Sequence, residues 1–585
     1  MSPIARLLPP LVWLRSYRGH DLASDLLASV IVTIMLIPQS LAYAMLAGLP
    51  PEIGLYASIL PLVAYALFGS SRTLAVGPVA VVSLMTLAAA GEVGAPGSPA
   101  FIQAALVLAL LSGLMLFAMG LLRLGFVANL LSHPVISGFI TASAVLIAAG
   151  QLKHILGIRA EGHALLDTLV SVGHGLGGTN LPTLLIGVAA IAFLFWTRSR
   201  LKPLLQRLGL PARAADMVAK AGPVAAVAVG IALVAGLSLD QAGVRIVGAV
   251  PQGLPPLTLP PFDSDLWTRL ALPAALISIV GFVESVSVGH ALAARRRQTV
   301  DPNQELLGLG AANLAAAVSG GYPVTGGFAR SVVNFAAGAQ TPLAGVFTAA
   351  MIALAALFLT PLLYFLPNAV LAATIIVAVL SLVDVATIRH TWAYSKADFA
   401  AMAGTMAMVL LVGVEAGIST GVAISVLLLL WHNSRPHVAV VGRVPGTEHF
   451  RNIRRHAVIT SEKVLALRID ESLLFANSRW LEDVVMRETA VRPGISDLVL
   501  MCPAVNLIDA TALESLELIQ ARLTEAGIRL HLSEVKGPVM DRLERSGFLA
   551  HLSGRVFLSQ HDAMAALDPA CCAEASCRPR LTVAG

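Results

Sequence analysis

Long apolar runs separated by short polar stretches fill the chain from Leu22 to about Trp431. Two of them, LPTLLIGVAAIAFLFW and GPVAAVAVGIALVAGL, contain no charged residue. A helix needs about 20 predominantly apolar residues to cross the hydrocarbon core of a bilayer. The pattern therefore predicts a polytopic helical membrane protein with about 12 to 14 crossings, the range arising where glycine and proline interrupt the apolar runs.

The pattern changes abruptly after Trp431, where a polar and basic stretch begins and no further run of membrane length follows. The segments VLALRID, DLVLMC and RLHLSEV are typical of strands, and helical patterns follow them in NSRWLEDVVMRE, TALESLELIQARLTEA and GPVMDRLERSGFL. This alternation predicts a small α/β domain on a mainly parallel sheet. We expect five parts: an N-terminal cytoplasmic segment 1–20, a transmembrane domain 21–432, a linker 433–460, the α/β domain 461–568 and a disordered tail 569–585.

Composition and charge agree with a membrane location. Hydrophobic residues make up 57% of the 585 residues, charged residues 12%, and the mean hydropathy is +0.80, which excludes a soluble protein. The first apolar run is too long for the core of a signal peptide, so we expect no cleavage there. We expect the cell (inner) membrane with both termini cytoplasmic. The positive-inside rule favours a cytoplasmic N-terminus, and an even number of crossings places the C-terminal domain on the same side. The net charge of +5 reflects this topology and requires no nucleic-acid partner. The basic residues that indicate cytoplasmic segments are Arg6, Arg15, Arg18, Arg198, Arg200, Lys202, Arg207, Arg213, Lys220 and Arg295–Arg297.

Two stretches, SSRTLAVGPVAVVSLM and SGGYPVTGGFARSVVNF, interrupt the helical pattern in a similar way. In each, a short extended segment with glycine and proline precedes the start of a helix. Broken segments at corresponding places in two halves of a chain indicate an inverted-repeat transporter with its site at the breaks. Two half-helix N-termini favour an anion, and Arg330 adds a full positive charge. The alternative is a packing kink with Arg330 extended to the membrane interface.

Glu284 is the only acid in the apolar segment LISIVGFVESVSVGHALAA. A carboxylate at membrane depth is expensive, so it is a functional candidate. We expect it either to take up a proton as the anion binds or to coordinate sodium, with Ser287 and Thr325 as further candidate sodium ligands. The alternative is a fixed ion pair with Arg330.

Motifs for catalysis and cofactors are missing from the sequence. There is no Walker motif, no arrangement of nucleophile and base, and no cluster with metal-ligand spacing, since CCAEASC in the tail has too few ligands. We therefore expect no enzymatic activity, no ATP-driven transport, no cofactor and no metal. A membrane-tethered regulatory scaffold, whose function would lie in the C-terminal α/β domain, is a further functional class to consider. That function would leave Arg330 and Glu284 unexplained.

Long motifs in the chain resemble those of the SulP, or sulfate permease, family of anion transporters. PPEIGLYASILPLVAYALFGSSRTLAVGPVAVVSLM resembles the signature region of that family, and IPQSLAYAMLAGLP resembles its first helix. NQELLGLGAANLAAAVSGGYPVTGGFARSVVN resembles its second-half core motif, and the C-terminal α/β domain resembles its STAS domain. The likeness extends from about Leu11 to Ser559.

The resemblance implies about 14 transmembrane segments in a 7+7 inverted repeat with uracil-permease-like core and gate domains. It also implies a homodimer, an elevator-like motion and a coupling role for Glu284. Members often have TGSFSRS where this chain has TGGFARS, so Gly327 and Ala329 replace two hydroxyl side chains and the inference of sulfate is weakened. The implied anion site consists of Gln39, Tyr43, Val79, Phe328, Ala329 and Arg330.

Proton-coupled sulfate uptake is the favoured function, because IPQSLAYAMLAGLPPEIGLY resembles the sulfate-carrying members. Sodium-coupled bicarbonate symport, proton-coupled C4-dicarboxylate symport and uncoupled anion exchange or conduction stay open as alternatives. In the STAS domain we expect Asp509 or Thr511 to cap a helix, with Thr511 and Glu514 at capping-box spacing. Alanine directly follows Asp509, where soluble relatives are phosphorylated, so we expect the domain to serve folding, dimerisation or a cytoplasmic protein partner.

Overall fold

The structure is a computed structural model that describes residues 8–129, 132–160, 162, 164–211, 215, 218, 219 and 221–572. Arg6, Arg213, Lys220 and residues 573–585 of the expected tail lie outside the described residues. The chain divides into two compact units, Met1–Ser425 and Val426–Gly585. The division falls inside a helix, Val414–Ser434, and not in a loop.

Helices form most of the described part of the first unit, with short 3-10 or π-helical segments, loops and one pair of short strands between them. The helices before residue 240 are α1 (Pro10–Trp13), α2 (Gly19–Leu46), α3 (Pro51–Tyr56), α4 (Leu60–Phe68), α5 (Ala80–Gly91), α6 (Pro99–Leu121), α7 (His133–Leu156), α8 (Leu165–Gly175), α9 (Leu181–Trp196), α10 (Lys202–Arg207) and α11 (Gly222–Leu237). Those after it are α12 (Ser264–Arg295), α13 (Pro302–Val318), α14 (Phe328–Ala337), α15 (Leu343–Phe358), α16 (Asn368–Leu380), α17 (Val385–Tyr394), α18 (Lys396–Leu411) and α19 (Val414–Ser434). The strands are β1 (Val76–Gly77) and β2 (Thr325–Gly326).

Eight helical spans in the described part of the chain are long and apolar enough to cross a membrane, and α5, α11 and α15 are shorter apolar helices. The bounds of α9 coincide with the run LPTLLIGVAAIAFLFW, because the Asn180 side chain accepts from Thr183 N over 2.9 Å and caps the first turn. The predicted helical membrane protein is confirmed. The 14 crossings and the 7+7 repeat stay predictions.

The helices of the first unit pack in two groups. In the first helix group (α4, α6, α12 and α13), α13 packs on α4 and α6, and α12 packs on α6. In the second helix group (α7, α9, α16 and α18), α7 packs on the other three. Glycines bring the backbones of α6 and α13 close together, since a Cβ on Gly113 would lie 2.7 Å from Leu314 N. Small residues at such contacts allow close packing of apolar helices, so the first helix group forms a tight block.

The second unit contains a six-stranded sheet in the order β4-β3-β5-β6-β7-β8. Strands β5 to β8 run parallel, as predicted, and β3 and β4 are antiparallel. The strands are β3 (Val438–Arg443), β4 (Phe450–Asn452), β5 (Val464–Ile469), β6 (Asp497–Met501), β7 (Arg529–Ser533) and β8 (Val556–Phe557). The helices are α20 (Ser478–Ala490), α21 (Ala510–Glu525), α22 (Gly537–Arg545), α23 (Phe548–His551), α24 (Gln560–Leu567) and α25 (Pro569–Cys572).

The second unit differs from expectation at both ends. Residues 438–443 and 450–452 lie in the expected linker but form β3 and β4, because their apolar side chains cover one face of the sheet. Residues 569–572 lie in the expected tail but form α25, where the buried Cys571 accepts from Arg443 Nε over 3.1 Å. At α21, Asp509 is the cap, since its side chain accepts from Ala512 N over 2.9 Å. Thr511 therefore lies within the first turn.

Candidate functional site

The two predicted breaks are present and lie against each other. β1 and β2 pair antiparallel, Val76 with Gly326 and Gly77 with Thr325. The helices that follow them, α5 and α14, begin within three residues of the strands. This pairing brings two helix N-termini from distant parts of the sequence to one place.

Buried polar side chains hold the extended segment before α14. Asn313 on α13 donates to Val324 O and accepts from Val324 N, each over 2.9 Å. On α12, Ser285 Oγ accepts from Gly326 N over 2.9 Å and lies 2.8 Å from Thr325 Oγ1. These bonds replace the backbone partners that a continuous helix would supply. The break is thus specified by polar residues on two neighbouring helices.

The Arg330 side chain lies against the glycines of both breaks. A Cβ on Gly77 would be 2.9 Å from Arg330 Nη1, and one on Gly327 would be 3.0 Å from Nη2. Arg330 is 2% exposed, which contradicts an arginine extended to the membrane interface. Among the described residues, neither its Nη1 nor its Nη2 has a hydrogen-bond partner. A buried charge without a partner is strongly unfavourable. The arrangement suits an anion that accepts from both nitrogens.

The N-termini of α5 and α14 carry no side-chain cap. Their N-cap residues, Val79 and Gly327, have no side-chain acceptor for the first-turn N–H groups. Those N–H groups and the positive end of each helix dipole therefore favour negative charge. Among the described helices of the same unit, six have a side-chain cap, at Ser98, Asn180, Asp263, Asp301, Asp384 and Ser395.

Four of the predicted site residues lie close to Arg330, namely Tyr43, Glu284, Gln39 and Val79. Tyr43 interacts electrostatically with both Arg330 and Glu284. Gln39 precedes Tyr43 by one turn of α2, so the two side chains share a face, and the buried Gln39 Oε1 has no hydrogen-bond partner. Val79 is buried, and its Cγ1 would be 3.1 Å from a Cβ on Gly327. The site therefore draws on α2, α12, α14 and the residue before α5.

Phe328 and Ala329 are placed differently, because both side chains are exposed, Phe328 by 50%. Their position in the first turn of α14 leaves the backbone N–H as the group that each offers. Ser287 is also exposed, on the face of α12 opposite to Ser285, since two residues turn a helix by about 200°. Ser285, which the sequence did not single out, makes the contact with Thr325, whose hydroxyl also donates to Gly281 O over 2.6 Å.

Glu284 lies close enough to Arg330 to interact electrostatically, but the two side chains form no ion pair. Glu284 Oε2 is buried and has no hydrogen-bond partner in the part of the chain that the structure describes. The alternative of a fixed ion pair is therefore wrong for these described side chains. The site holds one acidic and one basic side chain, and each has buried atoms without a hydrogen-bond partner among the described residues.

Tyr322 is a site residue that sequence reasoning missed. It is fully buried, its hydroxyl lies 3.0 Å from Ser83 Oγ on α5, and it interacts electrostatically with Arg330. The available signal was the single tyrosine in SGGYPVTGG, an amphipathic side chain beside a break that faces a polar site.

Two further buried acids have structural partners. Asp25 is fully buried and accepts from the Thr341 hydroxyl over 2.6 Å and from the Tyr17 hydroxyl over 3.2 Å. Glu305 on α13 accepts from the Tyr65 hydroxyl and from Ser70 N, each over 2.8 Å. Both carboxylates connect segments that are distant in sequence, and neither is near enough to Arg330 to take part in the site's electrostatics.

Residues 22–405 match the Sulfate permease family, and residues 456–563 match the STAS domain. The probable sulfate transporter 4.2 of Arabidopsis thaliana is 36% identical over 578 residues, which are 96% of this chain and 83% of that protein. A probable sulfate transporter of Mycobacterium tuberculosis is 34% identical, over 92% of this chain and 94% of that protein.

Solved structures of two transporters have a similar fold. A structure of murine solute carrier 26 family member A9, an anion transporter in the inward-facing state, matches with a TM-score of 0.85 and 24% identity over 97% of this chain and 94% of that one. The transmembrane domain of a cyanobacterial bicarbonate transporter matches with a TM-score of 0.58 and 23% identity over 68% of this chain and 98% of that one. The resemblance drawn from the motifs is thus confirmed. The chain belongs to the sulfate permease family: it is an anion transporter with a STAS domain, and it is not an enzyme.

Proposed function

We propose that the protein is a secondary active transporter that takes up sulfate together with a proton. The observation that carries the proposal is the buried guanidinium of Arg330, whose Nη1 and Nη2 have no partner. It lies at the meeting point of two uncapped helix N-termini. A doubly charged oxyanion satisfies all of these donors at once.

Sulfate is proposed over the rival anions for two reasons. The relatives from Arabidopsis thaliana and Mycobacterium tuberculosis are both named sulfate transporters. Sulfate also presents acceptors in every direction, which matches donors that come from Arg330, from the first turns of α5 and α14, and from Tyr43. Gln39 joins them, because turning its amide presents an NH₂ group where Oε1 now lies.

Glu284 is proposed as the coupling group. An anion that enters beside an ionised Glu284 is repelled by it, whereas a protonated Glu284 removes that repulsion and donates a hydrogen bond. Anion and proton therefore bind with positive coupling, and by linkage each raises the affinity for the other by the same factor. Typical couplings of about 1–3 kcal/mol correspond to a factor of roughly 5–150.

An elevator-like motion is proposed for the transport step. The hydrogen bonds of Asn313 and Ser285 connect α13 and α12 to the segment that contains β2. Ser331 on α14 accepts from Ala75 N, directly before β1, over 3.0 Å. The first helix group and the two breaks can therefore move as one body past the second helix group. We further propose that the protein is a homodimer in the inner membrane and that both termini are cytoplasmic. The basic residues next to α2, α9 and α12 support this orientation of the chain.

The test is uptake of labelled sulfate into liposomes that contain the purified protein. One set of samples carries an inward proton gradient, a second carries an inward sodium gradient, and a third carries neither. Excess unlabelled bicarbonate or fumarate is added to parallel samples. We expect accumulation above the equilibrium level only with the proton gradient, and little inhibition by either competitor. Accumulation driven by the sodium gradient would show that sodium, and not the proton, is the coupling ion. Strong inhibition by bicarbonate or fumarate would show that the competitor is the preferred substrate. Equilibration without accumulation would indicate an exchanger or channel.

A further inference from the structure

An open basic cavity of about 520 Å³ lies at one end of the sheet in the second unit. Its walls are formed by β4, the loop after β4, β5 and the residues directly before β3 and after β5. Arg468 belongs to the face of β5 that also carries Val464 and Ala466, since alternate residues of a strand share a face. The cavity therefore continues the apolar face of the sheet at the point where that face becomes charged. It is separate from the site around Arg330, which belongs to the first unit.

The charges of the cavity are unbalanced. Three arginines and two histidines line it together with a single acid, Asp470. Asp470 is already occupied, because it accepts from Arg468 Nε over 2.6 Å and lies 2.7 Å from His437 Nδ1. Although burial acts to raise it, these hydrogen bonds hold the pKa of the Asp470 carboxyl below its ordinary value. The carboxylate thus stays ionised and fixes the side chains of Arg468 and His437 at the rim.

The other two arginines are not neutralised. Arg451 and Arg455 are exposed and line the cavity, and no described side chain forms an ion pair or hydrogen bond with either guanidinium. His456 adds a further donor beside them. Two arginines without a described ion-pair partner at one cavity supply donors suited to recognition of a phosphate group. The volume is within the usual range for small-molecule sites and larger than a single inorganic anion requires.

The cavity begins directly after an apolar helix of membrane length. Only two residues separate its first lining residue, His437, from Ser434 at the end of α19. That helix end is fixed to the sheet domain, since Asn477 Nδ2 donates to Asn433 O and Trp480 Nε1 donates to Pro436 O, each over 3.2 Å. Arg435 lies over the Trp431 ring at 4.3 Å. A basic cluster next to the end of a membrane helix is suited to an anionic lipid headgroup as well as to a dissolved ligand.

We propose that this cavity binds a phosphomonoester, with Arg451 and Arg455 contacting the phosphate group and the Arg468–Asp470–His437 cluster lining the same cavity. Two sources supply this chemistry, a lipid headgroup of the phosphatidic acid type and a small soluble phosphomonoester. The proposal concerns the second unit and is independent of the transported anion.

The experiment is titration calorimetry on the full-length protein, purified in non-ionic detergent and stripped of lipid. The probes are dioctanoyl phosphatidic acid, glycerol 3-phosphate and, as the neutral-headgroup control, dioctanoyl phosphatidylcholine. The test variant is Arg451→Gln/Arg455→Gln. The matched control is Arg454→Gln/Arg487→Gln, which removes the same two charges from exposed positions outside the cavity. Melting temperatures of all three proteins confirm that each is folded.

We expect at least one phosphomonoester probe to bind wild type and the control variant with dissociation constants within about twofold of each other, and the test variant to bind at least tenfold more weakly. Binding of phosphatidic acid alone assigns the lipid source, and equal binding of glycerol 3-phosphate assigns the soluble one. The proposal is overturned if neither phosphomonoester binds wild type, if phosphatidylcholine binds equally well, or if the test and control variants lose affinity alike.

Discussion

Arg330 is the residue on which the proposed chemistry depends most. Its charge is buried against two glycines and has no protein partner at Nη1 or Nη2. We expect Arg330→Gln to raise the concentration for half-maximal sulfate uptake by roughly thirtyfold or more, since loss of a buried charge contact costs about 2 kcal/mol or more. The measurement is uptake in liposomes across a range of sulfate concentrations. Arg72→Gln, at an exposed position, is the matched control and should leave uptake unchanged.

Glu284 provides the second prediction at the residue scale. A glutamine keeps the shape and a hydrogen-bond donor but binds no proton, so Glu284→Gln should abolish proton-driven accumulation. Exchange of internal for external sulfate should continue, because it needs no net proton movement. Counterflow and gradient-driven uptake, measured on the same liposomes, separate the two. Glu92→Gln, at an exposed position, serves as the control. Proton-driven accumulation by Glu284→Gln would show that Glu284 is not the coupling group.

The two serines of α12 provide a matched pair. Ser285→Ala leaves the buried N–H of Gly326 without its acceptor, which costs about 1–3 kcal/mol. Ser287 is exposed, and a change there is expected to cost less than about 0.5 kcal/mol. Thermal unfolding in detergent should therefore show a lower midpoint for Ser285→Ala only, together with a higher half-saturation concentration for sulfate. Equal effects of the two changes would contradict the placement of the break against α12.

The break before α5 is the element that a single methyl group can test. Gly77 has φ +151°, which side chains rarely adopt, and a Cβ there would be 2.9 Å from Arg330 Nη1. Gly77→Ala should displace the guanidinium and reduce sulfate uptake at least tenfold. Gly91→Ala, at the last residue of α5, meets no atom within 4 Å and should be neutral or slightly stabilising. Sulfate uptake by Gly77→Ala at the wild-type level would show that the break before α5 does not form part of the anion site.

At the scale of the whole molecule, the second unit has a core of its own. Residues of β5, β6, β7, α20 and α21 supply this apolar cluster, in which Leu467 is 0% exposed. A fragment of residues 435–585 should therefore unfold cooperatively in urea, followed by circular dichroism. Leu467→Ala should lower its free energy of unfolding by about 2–5 kcal/mol, whereas Leu558→Ala, at a position 91% exposed, should change it by less than about 0.5 kcal/mol. A fragment without a cooperative transition would show that it needs the rest of the chain.

Local patterns were sufficient for most elements. Apolar runs predict α9 and α11 to the residue, and the alternation in the second unit predicts β5, β6 and β7, because burial of a periodic face follows directly from residue spacing. The same reasoning failed for β3, which lies within a basic stretch. Its apolar positions become informative only when β5 is beside it.

The sequence by itself determined that the chain is a membrane protein with two breaks, an arginine within one of them and an acid in an apolar run, because each of these is a property of one segment. Only the tertiary structure decided which side chains meet. It selected Ser285 over Ser287, added Tyr322, placed Asp25 and Glu305 in structural contacts, and kept Glu284 and Arg330 from forming an ion pair. These outcomes depend on the helix face that packing buries and on contacts between residues hundreds of positions apart, which no local pattern contains.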